Sequence, residues 1–73
     1  MILELDRQSH APLYTQIAAQ VRQLIRTGAL KIGDRLPPNR TLAQSLGVNR
    51  TTVATAYDEL LADGLIASRV GSG

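Results

Sequence analysis

Arginine and hydroxyl side chains meet at one point of this chain, in the run from Asn49 to Thr52. A guanidinium is planar, always charged and able to donate in pairs to phosphate oxygens or a guanine edge. Threonine can donate to a phosphate or place its methyl group against thymine. The chemistry that these residue types favour is binding to a polyanion. Further candidates for the same surface are Arg35, Arg40, Arg69 and Gly71.

The charge of the chain is small in total but unevenly distributed. The 73 residues include eight basic and six acidic side chains, for a formal net charge of +2. Six of the bases lie between Arg22 and Arg50 with one acid among them, whereas residues 58–63 hold three acids and no base. This distribution predicts a local positive field over the middle of the chain.

The composition excludes several other kinds of site. The chain has no cysteine and one histidine, His10, so it offers neither a thiolate metal centre nor a Cys–His pair. With no Phe or Trp and two Tyr, an aromatic platform for single-stranded nucleic acid is not expected. No credible Ser/His/Asp spacing is present, and residues 71–73 are too short for a phosphate-binding loop. The sequence therefore predicts no enzyme, and no metal or cofactor in this chain.

No membrane segment or export signal is expected. No apolar run approaches the roughly 20 residues that a membrane span needs. The first ten residues carry acids early and no basic start, unlike a signal peptide. The prediction is a cytoplasmic protein with no membrane partner.

Hydrophobic spacing predicts three helices, at about 12–27, 39–46 and 50–63. Pro12 suits a first helical turn, and Asn39 and Asn49 are candidate N-caps. The inward stripes are expected to consist of Leu13, Ile17, Ala18, Val21, Leu24 and Ile25 in the first helix, Leu42, Ala43 and Leu46 in the second, and Val53, Ala56, Tyr57, Leu60 and Leu61 in the third. Glycines 28, 47 and 64 are expected to end them.

The last two helices are short and joined by the turn Leu46–Asn49, which is typical of a helix-turn-helix. Residues 65–70 are predicted to form a strand and residues 71–73 a turn. Together they would begin a wing, whose second strand is expected to be truncated. A short strand is expected near residues 35–36, and Leu30, Ile32 and Leu36 are expected to pack under the helices. The fold expected is a winged helix-turn-helix, mainly α with a small β-wing, over residues 12–73. Residues 1–11 form an N-terminal arm, with weak strand-like alternation.

The third helix has one face free of the apolar stripe. That face carries Thr51 and Thr55 near its basic, hydroxyl-rich N-terminal half and Asp58 in its acidic C-terminal half. A recognition helix enters the major groove N-terminus first, so the half that would enter is the half compatible with DNA. A purely structural Arg50 is disfavoured because a cation in a first turn opposes the helix dipole.

The other candidates keep two interpretations each. Thr51 and Thr52 either share in capping or contact phosphate or a thymine methyl group. Asn49 is a cap before it is a base reader, and the same side chain can also bind DNA through a phosphate. Arg40 contacts the DNA backbone or a base, or is simply exposed. Arg35 pairs with an acid such as Asp34 or touches phosphate.

The two remaining candidates lie in the expected wing. Arg69 contacts phosphate or is solvated. Gly71 either approaches the minor groove at the wing tip or forms an ordinary turn.

Several blocks of residues agree in order and spacing with a known family. They are Pro12-Leu13-Tyr14-x-x-Ile17, Gly28-x-Leu30-x-x-Gly33-Asp34-Arg35-Leu36-Pro37-x-x-Arg40-x-Leu42-Ala43, Leu46-Gly47-Val48-Asn49-Arg50-x-Thr52-Val53 and Ala56-Tyr57-x-x-Leu60-x-x-x-Gly64-Leu65. Over residues 11–73 the chain resembles the GntR-type bacterial transcription regulators. The opening Leu5-Asp6-Arg7-x-Ser9 and the ending Arg69-x-Gly71-Ser72-Gly73 are most similar to the MocR subgroup.

The resemblance implies a winged helix-turn-helix that binds double-stranded operator DNA as a homodimer. It also implies a C-terminal effector or oligomerisation domain, which in MocR-like proteins resembles a pyridoxal-phosphate aminotransferase. Arg40, Arg50 and Thr52 match motif positions that contact DNA, and Gly71 matches the wing tip. Pro38 stands where the family often has serine, so the cap of the second helix must come from Asn39 or from elsewhere.

The leading hypothesis is sequence-specific DNA binding by the N-terminal domain of such a regulator. The alternative is a winged-helix protein-interaction module without DNA binding, which would show an apolar exposed patch on the third helix. A third hypothesis, an enzyme fragment, lacks the residues for catalysis.

Overall fold

The computed structural model describes residues 1–67, which form three helices preceded by an extended arm. The helices are α1 (Leu13–Thr27), α2 (Asn39–Leu46) and α3 (Arg50–Ala62). Their order and bounds agree closely with the sequence-based expectation. Pro12 lies one position before α1 rather than in its first turn.

No strand is present within residues 1–67. The prediction of a short strand near residues 35–36 is wrong, because that segment leads into two prolines and pairs with no other extended segment in the described part of the chain. Residues 65–67, the start of the expected wing strand, form bends, and one hydrogen bond of 3.4 Å joins the Leu65 carbonyl to the N–H of Gly33. The rest of the predicted wing, with Arg69 and Gly71, lies outside the described residues.

The core is built where α1 and α2 pack against α3. Its buried side chains are Leu3, Ile17, Ala18, Val21, Leu36, Leu42, Ala43, Val53, Ala56, Tyr57, Leu60 and Ile66. Two expectations are wrong: Ile32 is 67% exposed and Leu61 is 37% exposed. At 100° per residue Leu61 lies about 80° from the direction of Val53, at the edge of the apolar stripe.

The start of α2 differs from the expected capped end. Pro38 occupies the N-cap position with no side-chain hydrogen bond, and Asn39 is already the first helical residue. Asn39 is 5% exposed and its Oδ1 has no partner among the described residues. The prediction that Asn39 caps α2 is therefore wrong, because the helix already begins at Asn39 and the buried Oδ1 of this residue accepts no hydrogen bond from the described part of the helix. Arg40 becomes the second residue of the helix.

The turn between α2 and α3 confirms the helix-turn-helix. Gly47 has a φ of 71°, a conformation that side chains with a Cβ disfavour. Its N–H bonds the Gln44 carbonyl at 3.3 Å, and the N–H of Val48 bonds the Ala43 carbonyl at 3.0 Å. This pattern closes α2 and turns the chain sharply. Asn49 follows with extended backbone, so α3 begins three residues after Gly47.

Candidate nucleic-acid interface

The N-terminus of α3 is organised by Asn49. Its Oδ1 accepts the backbone N–H of Thr52 at 3.0 Å and the Thr52 hydroxyl at 3.0 Å. This confirms Asn49 as the cap, and it shows that Thr52, which is half-buried, takes part in capping. Arg50 and Thr51, the first two residues of the helix, are exposed. The helix end that the sequence singled out therefore presents a guanidinium and a hydroxyl side by side, at the positive end of the helix dipole.

The opposite face of α3 is fixed by the core. Val53, Ala56 and Leu60 are fully buried and Tyr57 is 1% exposed. The Tyr57 hydroxyl donates to the carbonyl oxygen of Pro37 at 2.7 Å, which ties α3 to the loop before α2. Burial raises the pKa of Tyr57 to about 12, so the phenol stays neutral. Rotation of α3 about its axis is thereby opposed, and the face with Thr51 and Asp58 stays exposed.

Two further arginines lie outside α3 near the start of α2. Arg40 is exposed on the first turn of α2, and Arg35 is exposed in the loop that precedes it. The Asp34 carboxylate accepts the N–H of Lys31 at 2.9 Å and closes a turn within the loop. Within residues 1–67 the structure shows no ion pair between Asp34 and Arg35. The pairing proposed for Arg35 is not seen there, and its contact with phosphate stays a prediction.

Arg22, the first base of the basic stretch, has a different role. Its Nη2 forms an ion pair with Oδ2 of Asp63 at the C-terminal end of α3. Arg22 contributes to the local positive field that the sequence predicts, and the Asp63 carboxylate, 41 positions away, offsets that charge. Asp63, in turn, is one of the three acids expected to give α3 its acidic half.

Sequence reasoning missed the residues that attach the arm. Gln16 and Gln20 on α1 bond the backbone of the arm, and Arg7 bonds the carbonyl oxygens of Leu46 and Gly47. The sequence did contain a signal for this attachment: Gln16 and Gln20 are one helical turn apart, so their side chains lie on the same side of α1.

Other kinds of site find no support in the described part of the chain. Over residues 1–67 no group of three or more His, Asp or Glu side chains is placed to hold a metal ion. In the same range none of the helices has the length and apolarity that a membrane crossing requires.

Comparison with known proteins places this architecture in a family. The family model described as "Bacterial regulatory proteins, gntR family" matches residues 13–73. The chain is 49% identical over 72 residues to the probable rhizopine catabolism regulatory protein MocR of Rhizobium meliloti, covering 99% of this chain and 15% of that protein. It is 39% identical over 72 residues to the transcriptional repressor YtrA of Bacillus subtilis, covering 99% of this chain and 55% of that protein.

A solved structure supports the same assignment. YtrA of Sulfolobus acidocaldarius, a GntR-family transcription factor, superposes with a TM-score of 0.82 at 48% sequence identity, covering 88% of this chain and 68% of the other. The chain spans only 13–15% of the length of four of its curated relatives. Because the family model covers nearly the whole chain and the fold agrees, this chain belongs to the GntR family of bacterial regulatory proteins and supplies a helix-turn-helix domain of that family.

Proposed function

We propose that this chain binds double-stranded operator DNA sequence-specifically, as the DNA-binding domain of a MocR-like transcription regulator. The observation that carries the proposal is the exposure of Arg50 and Thr51 at the capped N-terminus of α3, on a helix whose other face is locked into the core. A helix presented in this way enters a major groove with its first residues against the base edges. The identity to a MocR protein supports the subgroup.

Contacts to the DNA backbone would set the register of α3. Arg40 lies in the first turn of α2 and Arg35 in the loop before it, and both are exposed. Guanidinium groups and helix N-termini are the usual phosphate ligands of such domains. In the proposal the wing, with Arg69 and Gly71, reaches the adjacent minor groove. Two half-sites are required for high specificity, so the chain is proposed to act in a homodimer.

Replacement of Arg50 tests this function. With a bidentate base contact, Arg50→Ala is expected to weaken binding to the cognate duplex by about 1–3 kcal/mol and to relax specificity at one base pair. Fluorescence anisotropy at two salt concentrations, with the duplex from immediately upstream of the gene and a scrambled duplex of equal composition, measures both effects. Arg26→Ala is the matched control, since it removes the same charge from the last turn of α1, where Arg26 contacts Gln23.

Three outcomes separate the hypotheses. Selective weakening by Arg50→Ala supports base recognition. A uniform loss on both duplexes, with a salt slope lower by about 1, would assign Arg50 to a phosphate instead. Binding that does not respond to salt, or no binding by a dimerised form of the chain, would contradict the proposed function and leave the protein-interaction module as the explanation.

A further inference from the structure

The N-terminal arm is held along α1 by two glutamines. Gln20 accepts the backbone N–H of Glu4 at 2.9 Å and donates to the carbonyl of the same residue. Gln16 binds Asp6 in the same way, accepting at 2.7 Å and donating at 2.9 Å. The two side-chain amides therefore pair with the backbone N–H and C=O groups of alternate residues of the arm, as the backbone of a neighbouring β-strand would. Leu3, which is 8% exposed, anchors the arm in the core.

Arg7 extends from this docked arm to the C-terminal end of α2. Its Nη2 donates to the carbonyl oxygen of Leu46 at 2.8 Å and to that of Gly47 at 3.2 Å. Carbonyl groups at the end of a helix lack intrahelical donors and carry a partial negative charge, so a guanidinium is favourable there. The N–H groups of Gly47 and Val48 serve carbonyls one turn earlier. Arg7 thus supplies donors to carbonyls that these two N–H groups do not reach.

The carbonyls that Arg7 holds belong to the turn that directs α3. Val48 alone separates Gly47 from Asn49, the cap of α3. A movement of the Gly47 peptide is therefore passed to the helix end that carries Arg50. The other attachment of the arm is α1, which packs against α3. Arg7 consequently joins the α1 side of the domain to the α2–α3 turn.

We propose that Arg7 is a positioning residue of the DNA interface, which fixes the turn between α2 and α3 and so the direction in which α3 meets the groove. The inference rests on the proposed function. Base contacts require placement within about 0.5 Å, whereas long basic side chains follow a phosphate over larger displacements. Loss of Arg7 is therefore expected to reduce specific binding more than non-specific binding.

The first experiment measures the turn without DNA. Amide hydrogen exchange by NMR on the 73-residue chain follows the N–H groups of Val48 and Thr52, which are both hydrogen-bonded at the turn and the cap. Arg7→Ala is expected to accelerate their exchange about three- to tenfold. Arg26→Ala removes the same charge and is expected to leave them unchanged. Unchanged exchange in Arg7→Ala would overturn the proposal.

A conservative variant guards against loss of the fold. Arg7→Lys keeps the positive charge but lacks the guanidinium fork, so its exchange is expected to lie between those of the wild type and Arg7→Ala. If Arg7→Ala does not fold, Arg7→Lys carries the test, and wild-type exchange in that variant would overturn the proposal.

The second experiment measures DNA binding by anisotropy, with the upstream duplex and a scrambled duplex as probes. Arg7→Ala is expected to lower the ratio of specific to non-specific affinity about three- to tenfold relative to Arg26→Ala, with the salt slope of the wild type. Equal weakening on both duplexes with a slope lower by about 1 would show that Arg7 itself contacts a phosphate, and would overturn the positioning role. If the wild-type chain does not prefer the upstream duplex, the proposed function fails, while the exchange experiment still decides whether Arg7 holds the turn.

Discussion

Replacement of Tyr57 by phenylalanine tests how α3 is attached to the loop before α2. The Tyr57 side chain is 1% exposed, and its hydroxyl donates to the Pro37 carbonyl at 2.7 Å. Phenylalanine fills the same space, so the change removes one hydrogen bond and little packing. Because the Pro37 carbonyl loses its partner, Tyr57→Phe is expected to lower the free energy of unfolding at pH 7 by about 1–2 kcal/mol. In a domain of this size each kcal/mol corresponds to a Tm lower by roughly 4–8 °C.

The same substitution should change the pH dependence of stability. Burial raises the pKa of Tyr57 from 10.0 to about 12, so the unfolded chain loses its phenolic proton at a lower pH than the folded one. The stabilisation that the folded state gains from keeping this phenol neutral is fully present below pH 10 and is lost as the pH rises through 12. At about 1.4 kcal/mol per pH unit, a shift of two units corresponds to roughly 3 kcal/mol in all; the wild type loses about 2 kcal/mol of it between pH 10 and pH 12, and Tyr57→Phe loses none. The two stability curves are therefore expected to cross at about pH 11.

Urea unfolding followed by circular dichroism, at steps between pH 7 and pH 12, measures both effects. The two proteins differ only at residue 57, so the difference between the curves isolates Tyr57. Curves that stay parallel above pH 10 would refute the reasoning, since they would mean that the phenol ionises as readily in the folded state as in the unfolded one.

Three other substitutions give expected outcomes in the same unfolding assay. Asn49→Ala is expected to lower the free energy of unfolding by about 0.5–2 kcal/mol, because it removes the cap of α3. Asn39→Ala is expected to lower it by less, because the Oδ1 of Asn39 bonds no described residue. Equal losses in the two variants would contradict the assignment of the caps. Gly47→Ala is expected to lower the free energy of unfolding by about 1 kcal/mol, because alanine disfavours the φ of 71° at this position. The added Cβ would lie 3.5 Å from Arg7 Nη2, which is an ordinary contact and adds no clash. A far larger loss would mean that the substitution displaces the arm. Arg22→Ala is expected to cost at most about 1 kcal/mol, less at high salt, because the ion pair with Asp63 is well exposed; a loss that persists in high salt would argue against this.

The local part of this fold follows directly from the sequence. The apolar spacing of Val53, Ala56, Tyr57 and Leu60 predicted α3 and its buried face, and all four are buried. Gly47 predicted the end of α2, where the backbone needs a positive φ. These features depend on residues within one or two helical turns of each other, so their physics is contained in a short stretch of chain. The predicted DNA contacts at Arg35, Arg40, Arg50 and Thr51 keep the status of predictions, although the structure leaves each of these side chains exposed.

The sequence was less informative where two local signals were alike. Asn39 and Asn49 both precede an apolar stripe and both suit an N-cap, yet the structure buries the first and uses the second as the cap. Leu61 fits the stripe of α3 but lies at the edge of the core, where too little chain covers it. Such outcomes depend on which surface the rest of the molecule brings over a residue, and propensity does not encode that.

By itself, the sequence determined the three helices, the tight turn between the last two, the basic end of α3 and the family. Tertiary structure alone decided the partners of the long polar side chains: Arg22 with Asp63, Gln16 and Gln20 with the arm, and Arg7 with the end of α2. Arg7 and Leu46 are 39 positions apart. A flexible charged side chain takes whichever acceptor packing places within its reach, so its role is fixed only after the helices have met.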